Sequence, residues 1–412
     1  MKTTPPYAPP AAQSASQLLR RAGFMALATA PLFSQLSRRG FVIIVPFGAI
    51  LLIVAQLIES DGDEPFAQMR DSLGNLCAWP VLFFIGWAGL SLVWTPFVAE
   101  ASVRYANLVA LSLMLFATIQ SLNGHIRTTN LNLLPIGLGT SLLLALFTIW
   151  QNYSRDEIPA DNMSLDRLPV LSAVLMIPVT GWLLSRKRWL IWLALLAATV
   201  LTLVLLDSLT ALVALVLALA VYGLALARPA LARGLAMTGT ALLMLVAPLL
   251  PFLLRPLTKW VYGAGDVTMD MLRAWGRLIQ KEPLRLITGH GFDVTMRAKA
   301  AGLIEPSAPR GLLFEIWYEL GFLGVFALAA LFVLTIRYTR QLAPPLAASI
   351  LASLVCCFVF AVAGQASMQA WWLTLIGLLM IHLVALAHGH YHTRRPVSRR
   401  PDPSPQAMRP SL

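Results

Sequence analysis

Apolar runs close to twenty residues long recur along this chain, at about 41–58, 76–94, 104–121, 131–150, 169–184, 189–206, 209–226, 233–253, 311–335, 345–364 and 369–387. At 1.5 Å of rise per residue, each such run can cross the ~30 Å hydrocarbon core of a bilayer as a helix. Inside lipid every backbone N–H and C=O needs an internal partner, and the ten-residue alternation of barrel strands is absent, so the runs are read as helices. The expected fold class is all-α, a polytopic transmembrane helix bundle of 11–12 spans with one long external loop. A chain that is 58% hydrophobic and only 12% charged fits no water-soluble, disordered or disulfide-rich class of this length.

The remaining sequence divides around these runs. Residues 1–40 read as a flexible basic N-terminus in which 22–36 is a candidate short membrane-associated helix. Residues 41–253 carry the N-terminal spans, 254–310 a long loop, 311–388 the C-terminal spans, and 389–412 a disordered basic tail with five arginines against Asp402. Cys77, Cys356 and Cys357 all lie in apolar stretches, so they suggest neither a disulfide framework nor a zinc site, and no metal or cofactor is expected. The net charge of +12 sits in short inter-span loops and at the two ends, which points to anionic lipid head groups and not to nucleic acid.

Orientation follows from those charges. With the C-terminal tail on the cytoplasmic side, the Arg337/Arg340 loop, the Arg228/Arg233 loop and the Ser185–Arg188 run also fall inside. The same alternation places the acidic 151–168 loop, with Asp156, Glu157, Asp161 and Asp166, and the long 254–310 segment outside. Eleven spans leave the N-terminus outside, against the preference of Arg20, Arg21, Arg38 and Arg39; counting 22–36 as a twelfth would bring it in.

Segment 254–310 is the natural place for a site, because long loops in compact proteins usually carry function. It holds nine basic residues against five acids, on the side where the charge bias does not ask for them. Within it Met271, Trp275 and Leu278 recur at helical spacing with Arg273, Arg277 and Lys281 on the opposite arc, and Pro283 ends the pattern. That short basic amphipathic helix suits interfacial anchoring on lipid phosphates or contact with the diphosphate of a lipid-linked substrate. Beyond it, Arg310 stands at a helix start, where the dipole is already positive and an anion would be welcome. Glu315 and Glu319 follow one turn apart on one face, and acids at membrane depth are functional candidates; a structural role is favoured for Glu319.

The segments LSLVWTPFVAEASVRYANLV (90–109), LLDSLTALVALVLAL (205–219), RAWGRLIQKEPLRLITGHGF (273–292) and FEIWYELGFLGV (314–325) resemble, in order, the O-antigen ligase and O-antigen polymerase superfamily of membrane glycosyltransferases. The resemblance implies a bacterial inner-membrane enzyme, active without a metal. It would take a glycan from a polyprenyl-diphosphate carrier at the outer face and pass it to a lipid or glycan acceptor hydroxyl. It also implies that Arg273, with Trp275 and Pro283 at the family spacing, contacts the carrier diphosphate. Two positions depart from the pattern. Leu209 follows Ser208 where the family has an arginine, and Arg310-Gly311 stands where it has His-Asn.

An arginine, with a pKa above about 12, cannot remove a proton from a hydroxyl. In a rearranged site Arg310 becomes a cationic clamp and Glu315, His290 or Asp293 takes the proton, Glu315 being preferred. Arg273, Arg310 and Glu315 are thus the catalytic candidates, and Trp275, Arg277, Lys281 and His290 the substrate-binding ones. Two other classes stay open: a catalytically altered homologue that binds lipid-linked glycan or envelope-assembly proteins, and a secondary transporter, for which the absence of a clear internal repeat is unfavourable.

Overall fold

A computed structural model describes residues 10–37, 39–59, 78–122, 128–154, 165–262 and 267–391. Cys77, Arg38, Asp156, Glu157, Asp161, Asp266 and the tail beyond residue 391 lie outside the described residues. Among the described residues all regular structure is helical. Nine helices there are long and apolar enough to cross a membrane, and two shorter ones, Ala78–Val93 and Trp189–Leu205, are equally apolar. Together they match the eleven runs read from the sequence, and the chain is a multi-pass membrane protein.

The N-terminal region differs from the flexible lead expected of it. Pro10–Leu36 forms one helix, α1, which returns antiparallel along α2 (Gly40–Glu59). Gly23 and Gly48 meet there so closely that a Cβ on either would lie 2.9 Å from the other's carbonyl oxygen. Small residues at a crossing let two membrane helices approach and gain dispersion contacts. Arg20 donates to Gln56 at 2.9 Å, and Phe24, Leu27 and Ala30 are buried. Gln35 donates 106 residues away to Ser141, on both its carbonyl and its hydroxyl oxygen. Residues 10–17 lack an apolar core, so their helix was not visible locally.

The bundle continues with α3 (Ala78–Leu90), α4 (Val98–Ser121), α5 (Leu133–Ser154) and α6 (Leu168–Ser185). Every residue from Leu168 to Leu183 in α6 is buried. A helix apolar on all sides belongs in the middle of a bundle, and α6 occupies that place. Against it pack α7 (Trp189–Leu205) and α8 (Leu209–Ala227), and α9 (Pro229–Val246) packs in turn on α8; the outer leucines and valines of all three are exposed, as lipid-facing positions should be.

Segment 254–310, read as a long loop with one short amphipathic helix, carries several helices. After a 3₁₀ turn at Ala247–Leu249, α10 (Leu250–Tyr262) extends the preceding helix; α11 (Val267–Lys281), α12 (Arg285–Thr288) and α13 (Thr295–Ala300) follow. The amphipathic helix read at 271–281 is α11. Its apolar stripe, with Ala274 and Trp275, packs on Phe314 and Trp317 and forms a second core with Val294, Ala298 and Ile304. Protein covers that stripe, so α11 is not merely an interfacial anchor. The last three helices are α14 (Leu312–Tyr338), α15 (Pro344–Ala363) and α16 (Ala370–Tyr391).

Candidate functional site

Three of the four segments quoted for the family resemblance, 90–109, 273–292 and 314–325, come together where α14 breaks. Gly321 has φ 63° and ψ −160°, a conformation open essentially to glycine alone, and it interrupts the helical ladder. The carbonyls of Tyr318 and Glu319 accept instead from the N–H groups of His290 and Gly291, both at 2.9 Å. The Trp87 indole N–H donates to the Leu320 carbonyl at 2.9 Å. A broken helix is tolerated in a membrane protein when its freed backbone groups find such partners. Gly289 and Gly321 are both required: a Cβ on Gly289 would sit 2.1 Å from Glu319 O, and one on Gly321 2.5 Å from Ile287 O. The Gly-His-Gly-Phe turn and the Glu-Leu-Gly break therefore interlock backbone to backbone.

The turn between α3 and α4 closes the third side. Ser91 Oγ accepts the Phe292 N–H at 3.1 Å, and Thr95 Oγ1 donates to the Phe292 carbonyl at 3.2 Å. Glu319 stands behind this junction. Its carboxylate accepts the N–H groups of Asp293 and Thr295, each at 3.0 Å, and so caps the start of α13. Those bonds support the structural role favoured for Glu319.

Asp293 is held with φ 62°, and its side chain is only 3% exposed. Arg104 of α4 binds one of its oxygens at 2.5 Å and Arg297 of α13 the other at 2.9 Å. Two guanidiniums thus share one buried carboxylate. Glu100 lies 4.0 Å from Arg297 Nη1.

Glu315 is buried in the first turn of α14 and accepts the Met368 N–H at 2.9 Å. Arg104, Lys299 and Asp293 lie within electrostatic reach of it. Lys299 donates to the carbonyls of Ala308 and Pro309, at 2.5 and 3.0 Å, and so holds the turn that presents exposed Arg310. Burial, then repulsion from Arg310, lowers the Lys299 pKa, with Glu315 opposing. One permanent and one titratable cation therefore accompany a buried carboxylate at the start of α14.

The α11 cations occupy a different face. Arg273 pairs with Asp270 at 3.2 Å, Arg277 makes a two-pronged pair with Glu305, and Lys281 is exposed in the last turn. The Glu305 hydrogen bond raises the Arg277 pKa and lowers that of Glu305. Trp275 is buried edge-on against Phe314, so it belongs to the core and not to an open binding surface.

His290 stacks on Tyr318 at 4.0 Å. Its Nδ1 lies 3.0 Å from the Tyr318 carbonyl and its Nε2 3.2 Å from Glu282. Both neighbours accept, which favours the imidazolium, yet burial outweighs them and lowers the pKa. A neutral ring so placed donates through Nδ1 and turns its lone pair towards a carboxylate, a poor position for a base. The adjoining hollow measures ≈ 20 Å³, room for about one water.

A larger open cleft of ≈ 330 Å³ is lined by Asp166, Asp207, Ser208, Leu209, Thr210 and Gln365 among others. Leu209, where the family has its second arginine, is exposed at this cleft. Gln365 and Met368 belong to one short connection between α15 and α16, which joins the cleft to the residue that holds Glu315.

The sequence reading thus placed Arg310 and Glu315 in one region and α11 beside it, but it did not single out Arg104, Arg297 or Lys299. Arg104 lay within the 90–109 segment, where an arginine six residues into an apolar helix was the available signal. Among the described residues no cluster of His, Cys, Asp and Glu could hold a metal ion. No family model matches this chain, and neither a curated protein nor a solved structure does.

Proposed function

We propose that this protein transfers a glycan from a polyprenyl-diphosphate carrier to a sugar hydroxyl at the outer face of the bacterial inner membrane, in the manner of O-antigen ligases and polymerases. The observation that carries the reading is Glu315, a buried carboxylate oriented by the Met368 N–H and accompanied by Arg104 and Lys299. In the proposed step Glu315 accepts the proton of the acceptor hydroxyl, whose oxygen bonds to the anomeric carbon of the donor sugar. The bond from that carbon to the diphosphate breaks, and its electron pair leaves with the polyprenyl diphosphate.

Fixed cations aimed at a leaving group that gains charge stabilise the transition state without reorganising, usually the largest catalytic contribution. Arg310 serves as such a cation, and Arg273, Arg277 and Lys281 on the exposed arc of α11 supply a positive approach for the anionic donor. The polar cleft at Gln365 offers hydrogen-bonding room for a sugar.

Purified protein in nanodiscs with a polyprenyl-diphosphate oligosaccharide and its native acceptor tests the reading. Glu315→Gln should lower turnover by about 10²–10⁴, the usual worth of a positioned acid–base group. Absence of wild-type turnover with a verified donor and acceptor would leave the second reading, a homologue that binds lipid-linked glycan without transferring it. Replacement of the family histidine by exposed Arg310 is the observation that favours that alternative.

A further inference from the structure

We propose that this protein pairs with a second copy of itself in the membrane, helix α4 crossing α4, with the two Asn107 side chains hydrogen-bonded to each other at the crossing. Of the nine long apolar helices among the described residues, α4 is the least enclosed: 11% of its apolar window is buried, against 28% or more in every other. Val103 and Leu113 are 62% and 60% exposed, and Ala106, Asn107 and Ala110 are exposed between them. At 3.6 residues per turn these five side chains fall on one face. Asn107 is the polar member of that face. It lies about 13 Å along the axis from Val98, inside a hydrocarbon core ~30 Å thick.

The hydroxyl side chains of α4 satisfy themselves within the helix. Ser102, Ser112, Thr118 and Ser121 each donate to the carbonyl four residues earlier, at 2.6, 2.7, 2.7 and 2.8 Å. Asn107 does not: among the described residues its amide has no hydrogen-bond partner. The amide carries two N–H donors and a carbonyl acceptor, and the surrounding helix has no free backbone groups to meet them. A polar group left without a partner in hydrocarbon is costly, so its presence on a lipid-facing arc points to a protein surface that covers it.

A second copy supplies that surface with nothing further required. Two copies inserted in the same orientation carry Asn107 at the same depth, and a two-fold axis along the membrane normal brings the amides face to face. Each N–H then donates to the other copy's carbonyl, because an amide is its own complement. Val103, Ala106, Ala110 and Leu113 are uncharged, so the face tolerates its own image. Ala106 and Ala110 beside Asn107 are short enough to let the two backbones approach and the amides reach, as Gly23 and Gly48 do between α1 and α2. Farther along the helix Thr118 and Ser121 are buried within the protein, which limits the contact to a crossing near Asn107. The pairing does not depend on the glycan-transfer reading.

Oxidative cross-linking of the full-length protein in native membranes tests the crossing with Asn107 intact. In a Cys77→Ser background, where Cys356 and Cys357 are buried, Ala110→Cys should give a disulfide-linked dimer. Leu143→Cys, at a position 68% exposed on α5, should not. Single-molecule photobleaching in liposomes over a range of protein densities then measures the association itself. Asn107→Leu should weaken it about threefold to thirtyfold, the range for one interhelical hydrogen bond in a membrane. Asn107→Gln, which keeps the amide on a longer stem, should fall between the wild type and Asn107→Leu. Monomers at every density, association unchanged by Asn107→Leu, equal cross-linking at positions 110 and 143, or cross-linking of the Ala110→Cys variant to a different protein would each overturn the proposal.

Discussion

Gly321→Ala tests whether the break in α14 is a built feature. The residue has φ 63° and ψ −160°, and forcing an alanine there costs about 1–3 kcal/mol in backbone strain. Its Cβ would also lie 2.5 Å from Ile287 O and 2.7 Å from Gly289 N, both backbone atoms that cannot swing aside. Relief requires the 287–291 turn to move, which endangers the His290 and Gly291 hydrogen bonds to α14. At about 0.5–1.5 kcal/mol for each bond, the total reaches roughly 2–6 kcal/mol. Gly223→Ala supplies the control: nothing lies within 4 Å of its Cβ position, and alanine improves helix propensity by about 0.8–1.0 kcal/mol. Melting of the two variants in detergent, followed by size-exclusion fluorescence, should show Gly321→Ala well below wild type and Gly223→Ala level with it or above. Equal melting of all three would mean that α14 tolerates a regular helix through residue 321, and the interlock would lose its meaning.

The lowered pKa of His290 carries a pH consequence. The unfolded chain binds the proton more readily, so the stability contributed by the neutral ring is full above the unfolded value of about 6.5 and is lost as pH falls from there towards the folded pKa. His290→Gln should flatten that acid limb in melts recorded from pH 7.5 down to 5, and an unchanged slope would show that another group is responsible. At the other end of the chain, Gly137→Leu should detach α1, because a Cβ there would fall 1.8 Å from the Ala28 carbonyl oxygen. Limited proteolysis should then release an N-terminal fragment that the wild type retains.

Local sequence determined the helical class and the positions of eleven apolar helices, because the length of an apolar run is a property of adjacent residues and lipid leaves such a run one backbone solution. It determined α11 as well, since Met271, Trp275 and Leu278 mark a face at helical spacing whatever covers it. Only the tertiary structure decided what that face is for: Phe314 and Trp317 lie against it where lipid could equally have lain. Helix α1 depends in the same way on packing farther along its length, with Gly23 against Gly48 of α2 and Ala28 against Gly137 of α5, so no local pattern announced its start. The pair of arginines on Asp293 is the clearest case. Arg104 and Asp293 are 189 residues apart, and they meet because Gly289, Gly291 and Gly321 lack the Cβ atoms that would keep three backbones separate. Sequence shows which side chains carry charge, but their distances are set by how closely the helices pack, and on those distances depends whether a guanidinium anchors the fold or faces a ligand.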